Sequence, residues 1–295
     1  MTQRLCLIGV GLIGGSIARA ARQRGLVGHI NAWGRPDDEA NLHQAVALGV
    51  IDSYTLDIAQ AVDQADLVII ATPVGAFADV FVRLRPVWRE TTCYSDVGST
   101  KGNVVSVLQQ VFGKVPGNFV PAHPIAGAEQ SGVGAARDGL FENRKLVVTP
   151  LPETCPQTLS LVRQFWTALG AEVSEMSVAE HDAILAATSH LPHLLAFALV
   201  DLLDSKPERT QIYQLAASGF KDFTRIAGSD PVMWRDICLA NRDQILPLLG
   251  DLQQQLSHMS DLLRQADGSQ LVDLFARAQA GQQHFQDIFH SRSTS

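Results

Sequence analysis

The chain has 295 residues, 46% of them hydrophobic, and a formal net charge of -7, enough for a sizeable core and about two domains. An acidic balance without clustered Lys and Arg excludes sequence-independent nucleic-acid binding. The four cysteines, Cys6, Cys93, Cys155 and Cys238, form no C-x-x-C pair, glycines interrupt the first strand before a signal-peptide core forms, and no apolar run is expected to span a bilayer, so a reduced cytoplasmic protein with no membrane partner is expected.

Residues 4–10 read as a strand that ends in glycine, and residues 12–24 as a helix. Between them Gly9, Gly11 and Gly14 form G-x-G-x-x-G. The first glycine permits a tight turn, the second lets a pyrophosphate approach the backbone, and the third allows close helix–strand packing. The strand–turn–helix context favours a dinucleotide loop formed by Gly9, Gly11, Leu12, Ile13 and Gly14, against the alternative of a merely structural turn.

Residues 29–33 read as a second strand. An NAD site usually carries Asp or Glu near its end, for the ribose 2′-hydroxyl. Here Gly34 takes that place and Arg35 follows. A guanidinium binds a 2′-phosphate that a carboxylate would repel, so NADP is the preferred cofactor and NAD the alternative. The competing reading makes Arg35 a solvated charge and gives the ribose to Asp37 or Asp38.

A helix is expected over residues 42–48, and a strand buried on both faces over residues 66–71. Thr72 and Pro73 stop that strand and are read as cofactor contacts. Strands are also expected over residues 92–95, 119–120, 145–149 and 172–175. Strands alternating with helices indicate an α/β fold with a doubly wound parallel sheet.

The stretch Asp96-Val97-Gly98-Ser99-Thr100-Lys101-Gly102 follows a strand and opens a helix. Ser99 is a candidate to hydrogen-bond a substrate hydroxyl; its alternative role is a helix N-cap. His123 stands between Pro121 and Pro124 and is read as a loop histidine at the sheet's carboxyl edge. Alone it is structural by default. With Ser99 and the glycine loop nearby it becomes a catalytic candidate, stiffened by its prolines.

From residue 177 onward the pattern is helical. Ser177 and Glu180 form a capping box, and Asp230-Pro231 marks another helix start. Residues 1–176 are expected to form one domain and residues 177–295 an all-α second domain. A leucine-rich stripe from Leu246 to Leu263 reads as a shared homodimer core, with intramolecular core as the alternative. His190 and His193 flank Pro192 in an apolar helical run, where proline should kink the helix. Each is a candidate for substrate contact or for simple packing. No zinc ligand set has recognisable spacing, so no metal is expected. Arg225 is an ordinary surface arginine by composition, in a segment suited to turn toward a cleft.

Taken together, Gly9-x-Gly11-x-x-Gly14, Asp96-Val97-Gly98-Ser99-x-Lys101, His123-Pro124-Ile125-Ala126-Gly127, His190-Leu191-Pro192-His193 and Ser218-Gly219-Phe220…Arg225 resemble the prephenate/arogenate (cyclohexadienyl) dehydrogenases of tyrosine biosynthesis. The resemblance runs over nearly the whole chain. It implies a Rossmann-type domain followed by an all-helical dimerisation domain, with the active site between them. It makes His123 the catalytic base for an oxidative decarboxylation. Ser99 would bond the same hydroxyl or His123, and Arg225 would clamp a substrate carboxylate. His193, His190 and Gly127 would line the pocket, and Asp222 is a candidate partner for an amino-acid side chain. No fused chorismate mutase segment or regulatory domain is expected. A β-hydroxyacid dehydrogenase is disfavoured because residues 180–200 hold no lysine. A non-enzymatic NADP sensor would need the glycine loop but not Ser99, His123 and Arg225 together.

Overall fold

The computed structural model describes residues 3–128 and 130–293. Six strands, β1 (Arg4–Ile8), β2 (His29–Trp33), β3 (Ser53–Thr55), β4 (Leu67–Ile70), β5 (Cys93–Asp96) and β6 (Phe119–Val120), form one sheet in the order β3-β2-β1-β4-β5-β6. Every pairing in it is parallel. The crossovers include α1 (Leu12–Gln23), α2 (Glu39–Ala47), α3 (Ile58–Val62), α4 (Phe77–Leu84) and α5 (Gly102–Phe112).

The two-residue period of β1 divides its side chains between two cores. Leu5 and Leu7 pack in a cluster with Ile17, Leu42 and Trp166, whereas Cys6 and Ile8 pack with Phe77, Phe81 and Leu108. Both faces of the sheet are therefore covered, as a parallel sheet requires. Strand order reverses between β1 and β4, which opens a crevice at their carboxyl ends.

The sheet stops at Pro121, which has no N–H for a ladder. The chain then enters a second sheet of β7 (Ala122–Pro124), β8 (Lys145–Val148) and β9 (Glu172–Glu175), with α6 (Pro156–Ala168) as a crossover. β7 and β8 run antiparallel, and His123 pairs with Val147. The expectation of a loop histidine is corrected: His123 sits inside a short strand, because the proline before it ends one sheet and the next begins at once.

Ser177 and Glu180 form the expected capping box at α7 (Val178–Leu185). A π-helical turn, Ala186–His190, joins α7 to α8 (Leu191–Asp204). Its wider turn precedes Pro192 and carries the helix through without a break. The resulting helix, Val178–Asp204, contains an 18-residue window with a mean hydropathy of 1.7 and is long and apolar enough to cross a membrane by length and composition alone. The expectation that no apolar run reaches that length is thereby corrected. Within it His181, Asp182 and His190 are buried polar residues, whereas in α8 Ala196 alone is buried.

Next come α9 (Arg209–Gln214), α10 (Ser218–Thr224), a 3-10 turn Arg225–Gly228, α11 (Pro231–Ala240), α12 (Arg242–Arg264) and α13 (Gly268–Ser293). Asp230 caps α11 by accepting from the Met233 N–H at 2.7 Å. The chain divides into two compact units, Met1–Ile245 and Leu246–Ser295, so α7 to α11 group with the sheets. In the second unit Leu262 is buried, while Leu256, Leu263 and Phe275 are exposed.

Candidate active site

The glycine loop leaves room for a diphosphate. Gly9 adopts a φ of +97°, and a Cβ there would lie 3.0 Å from the Ala71 carbonyl oxygen. A Cβ on Gly14 would sit 2.3 Å from the Gly9 oxygen, so only glycine lets α1 start this close to the turn. Gly11 differs: a Cβ would meet nothing within 4 Å. Gly11 is also the N-cap of α1 and supplies no side-chain cap, which leaves the N–H groups of the first turn, including those of Leu12 and Ile13, for an anion. Thr72 Oγ1, at the end of β4 beside Pro73, is buried without a hydrogen-bond partner among the described residues. An open backbone concavity and an orphaned hydroxyl fit a dinucleotide.

At the end of β2, Gly34 packs where a Cβ would crowd the Leu42 side chain at 2.8 Å. Arg35 is exposed and pairs with Asp37 at 3.0 Å. Asp38 faces Asn41 instead, at 3.4 Å, and burial holds its carboxyl above the ordinary value. The Asn41 amide also donates to the Val10 carbonyl and accepts from the Val133 N–H, tying the glycine loop to the segment beyond β7.

Asp96, the last residue of β5, is fully buried and pairs with Lys101. Its carboxylate also accepts from Gly98 N–H at 2.8 Å and Ala122 N–H at 3.2 Å. Lys101 Nζ donates to the Ala122 carbonyl at 2.7 Å. Together they fix the residue immediately before His123. Ser99 lies between Asp96 and Lys101 and is half-buried. The capping role considered for it belongs elsewhere: Asp182, from α7, accepts from Lys101 N–H at 2.9 Å and Gly102 N–H at 2.7 Å at the start of α5.

His123 is 9% exposed. Its Nδ1 lies 2.9 Å from His181 Nε2, and His181 Nδ1 lies 2.7 Å from Asp182 Oδ1. Burial, and then repulsion from His181, Lys101 and His190, hold the His123 imidazole well below its ordinary value of 6.5. An unperturbed imidazole was not to be expected of so buried a group, and the ring is neutral, and able to accept a proton, at neutral pH.

His190 is buried, and burial pushes it down to about 4. Its Nδ1 accepts from the Asn241 amide at 3.0 Å, and the same amide donates to the Asp182 carbonyl at 2.8 Å. His193 donates from Nδ1 to the Ser189 carbonyl at 2.8 Å, which leaves Nε2 as an acceptor in the neutral ring. Its ring stacks on Trp234 with centroids 3.7 Å apart.

The structure thus joins His123, His181, Asp182, Asn241 and His190 in one hydrogen-bonded group. Arg225 is exposed on the 3-10 turn, which packs beside α8, and Gly127 is exposed after β7. Sequence reasoning missed His181, Asp182, Asn241 and Trp234, and it left Lys101 without a role. The available signal was the adjacent His-Asp pair just inside the capping box.

Two family descriptions match the chain: "Prephenate dehydrogenase, nucleotide-binding domain" over residues 17–175 and "Prephenate dehydrogenase, dimerization domain" over residues 177–277. The chain is 33% identical over 280 residues to the cyclohexadienyl dehydrogenase of Zymomonas mobilis, covering 94% of each. It is 36% identical over 282 residues to the prephenate dehydrogenase of Bacillus subtilis, covering 94% of this chain and 75% of that one. The crystal structure of prephenate dehydrogenase from A. aeolicus in complex with hydroxyphenyl propionate and NAD+ superposes with a TM-score of 0.87 at 36% identity, covering 97% of this chain and 99% of the other. On this footing the chain belongs to the prephenate dehydrogenase family and is an NAD(P)-dependent dehydrogenase.

Proposed function

We propose that the protein oxidatively decarboxylates a cyclohexadienol, prephenate and arogenate both being accepted, with NADP preferred and His123 as the base. The observation that carries this reading is the neutral, buried His123, held beside the carboxyl edge of a sheet whose glycine loop is open to a dinucleotide. The nicotinamide, when bound, supplies the hydride acceptor. His123 Nε2 takes the hydroxyl proton as hydride leaves the same carbon. The ring carboxylate departs as carbon dioxide, its bonding pair stays in the ring, and His123 returns the proton to the phenolate oxygen. A base whose hold on a proton is weakened by burial is suited to that return.

Ser99, freed from capping, is placed in this reading to bond the same hydroxyl. Arg225 clamps a substrate carboxylate, and His193, His190 and Gly127 line the pocket. Glycine at position 34 and a guanidinium at 35 support NADP. The Zymomonas mobilis relative, named a cyclohexadienyl dehydrogenase, supports the broad substrate range. Residues 1–176 hold the dinucleotide in this scheme, and residues 177–295 serve the substrate and a homodimer contact. A second copy covers the exposed apolar side chains of the C-terminal half, among them Leu202, Leu215 and Phe223. Four free cysteines are compatible with a cytoplasmic location. An assay of prephenate and arogenate, each with NAD and with NADP, tests the reading. Turnover of both substrates, faster with NADP, is expected; no turnover of either would end it.

A further inference from the structure

The hydrogen bonds behind His123 set its tautomer as well as its position. Burial pushes the Asp182 carboxyl up, but bonds from the His181 ring and from the Gly102 and Lys101 N–H groups outweigh it and hold the group below its ordinary value. An ionised carboxylate only accepts hydrogen bonds. His181 Nδ1, 2.7 Å away, therefore carries the hydrogen, and Nε2 is bare in the neutral ring. That bare Nε2 accepts from His123 Nδ1 at 2.9 Å. The remaining lone pair on His123 is then on Nε2.

We propose that His181 and Asp182 are positioning residues for the reaction, holding His123 in its Nδ1–H tautomer and sharing the positive charge that arrives at Nε2. The inference rests on His123 being the base. In the step itself the substrate O–H breaks and an Nε2–H forms. The Nδ1–H of His123 stays bonded to His181 and polarises toward it, and Asp182 stabilises the charge that spreads there. The proton leaves by the same route, to the phenolate oxygen. The other charged or titratable groups around His123 are Lys101, neutralised by Asp96 at 2.5 Å, and His190. That leaves Asp182 as the carboxylate linked to His123 through a ring. Asp182 also caps α5 from α7, so docking of these two helices assembles the chain of bonds.

The test uses full-length enzyme saturated with cofactor. His181→Leu removes the acceptor; His181→Gln offers an amide oxygen to His123 and an amide N–H to Asp182 but takes no proton. Loss of the acceptor is expected to lower kcat about 100-fold and the glutamine variant only about 5-fold, within the range of tautomer and general-base effects. Both KM values should hold. In wild type, the 15N imidazole spectrum should show His123 protonated at Nδ1 and bare at Nε2, its resonances identified by their loss in His123→Asn. An Nε2–H tautomer, or wild-type kcat in both His181 variants, would overturn the proposal. Turnover of His123→Asn separates the two levels. If that variant is inactive while the His181 variants are unaffected, the positioning role alone fails. If it is fully active, the base assignment fails first. The wild-type spectrum decides the tautomer even if His181→Leu does not fold.

Discussion

Lys101 Nζ lies 2.5 Å from Asp96 Oδ2, and both side chains are completely buried. The same two residues hold Ala122 from both sides, Lys101 at its carbonyl and Asp96 at its N–H. A charge pair in the core thus clamps the strand that presents His123.

Breaking that clamp should be costly. Lys101→Met leaves a buried carboxylate without its partner, a change worth about 3–5 kcal/mol. Urea unfolding at constant protein concentration should show a loss of that size, together with reduced kcat. A loss below about 1 kcal/mol would mean that the pair contributes little.

Acid should destabilise the fold well above the carboxylate range. The folded value for His190 is about 4 against an ordinary 6.5. The unfolded chain therefore binds this proton first. Stability from this group is complete above pH 6.5 and declines as pH falls toward 4, by roughly 3 kcal/mol at about 1.4 kcal/mol per unit. A proton at Nδ1 would also displace the Asn241 amide bond. His123, lowered in the same direction, adds to the slope. Urea titrations at pH 4.5, 5.5 and 7.5 should give a shallower pH dependence for His190→Leu than for wild type; parallel curves would count against the assignment.

Two glycines of one loop should respond differently to alanine. A methyl on Gly14 meets the Gly9 carbonyl, while one on Gly11 enters open space. Gly14→Ala should lower the melting temperature. Gly11→Ala should leave it unchanged yet weaken dinucleotide binding about 10-fold or more, the scale of a lost bond to a charged group. Equal affinity in Gly11→Ala and wild type would show that no phosphate approaches there.

The cofactor preference rests on Arg35. Arg35→Ala should reduce kcat/KM for NADP about 10–100-fold and leave that for NAD nearly unchanged, since a guanidinium–phosphate bond is worth about 1.5–3 kcal/mol. Equal losses with both cofactors would make Arg35 a general surface charge.

What could be read from the sequence was local. The glycine loop, the strands β1, β2, β4 and β5, the capping box at Ser177 and the candidacy of His123 all follow from residue types at short, fixed spacing, whereas the three-residue β3 does not. The sheet switch at Pro121 was half visible: a missing N–H marks a break but does not say that the next strand joins another sheet. His181, Asp182 and Asn241 were invisible for a different reason. Each is an ordinary polar residue on a helix, and its role comes from partners about 60 to 80 positions away in the chain, such as His123 and Gly102, a range that periodicity does not reach. The π-helical turn before Pro192 was hidden likewise, because proline in a helical run signals a kink and not the wider turn that absorbs it.

His123→Asn tests the central claim most directly. Its single-turnover rate with prephenate and saturating NADP should fall about 10²–10⁴-fold, the range for loss of a general base. Dinucleotide affinity, read by fluorescence titration, should stay at the wild-type level. A rate within a few-fold of wild type would contradict the assignment of His123 as the base.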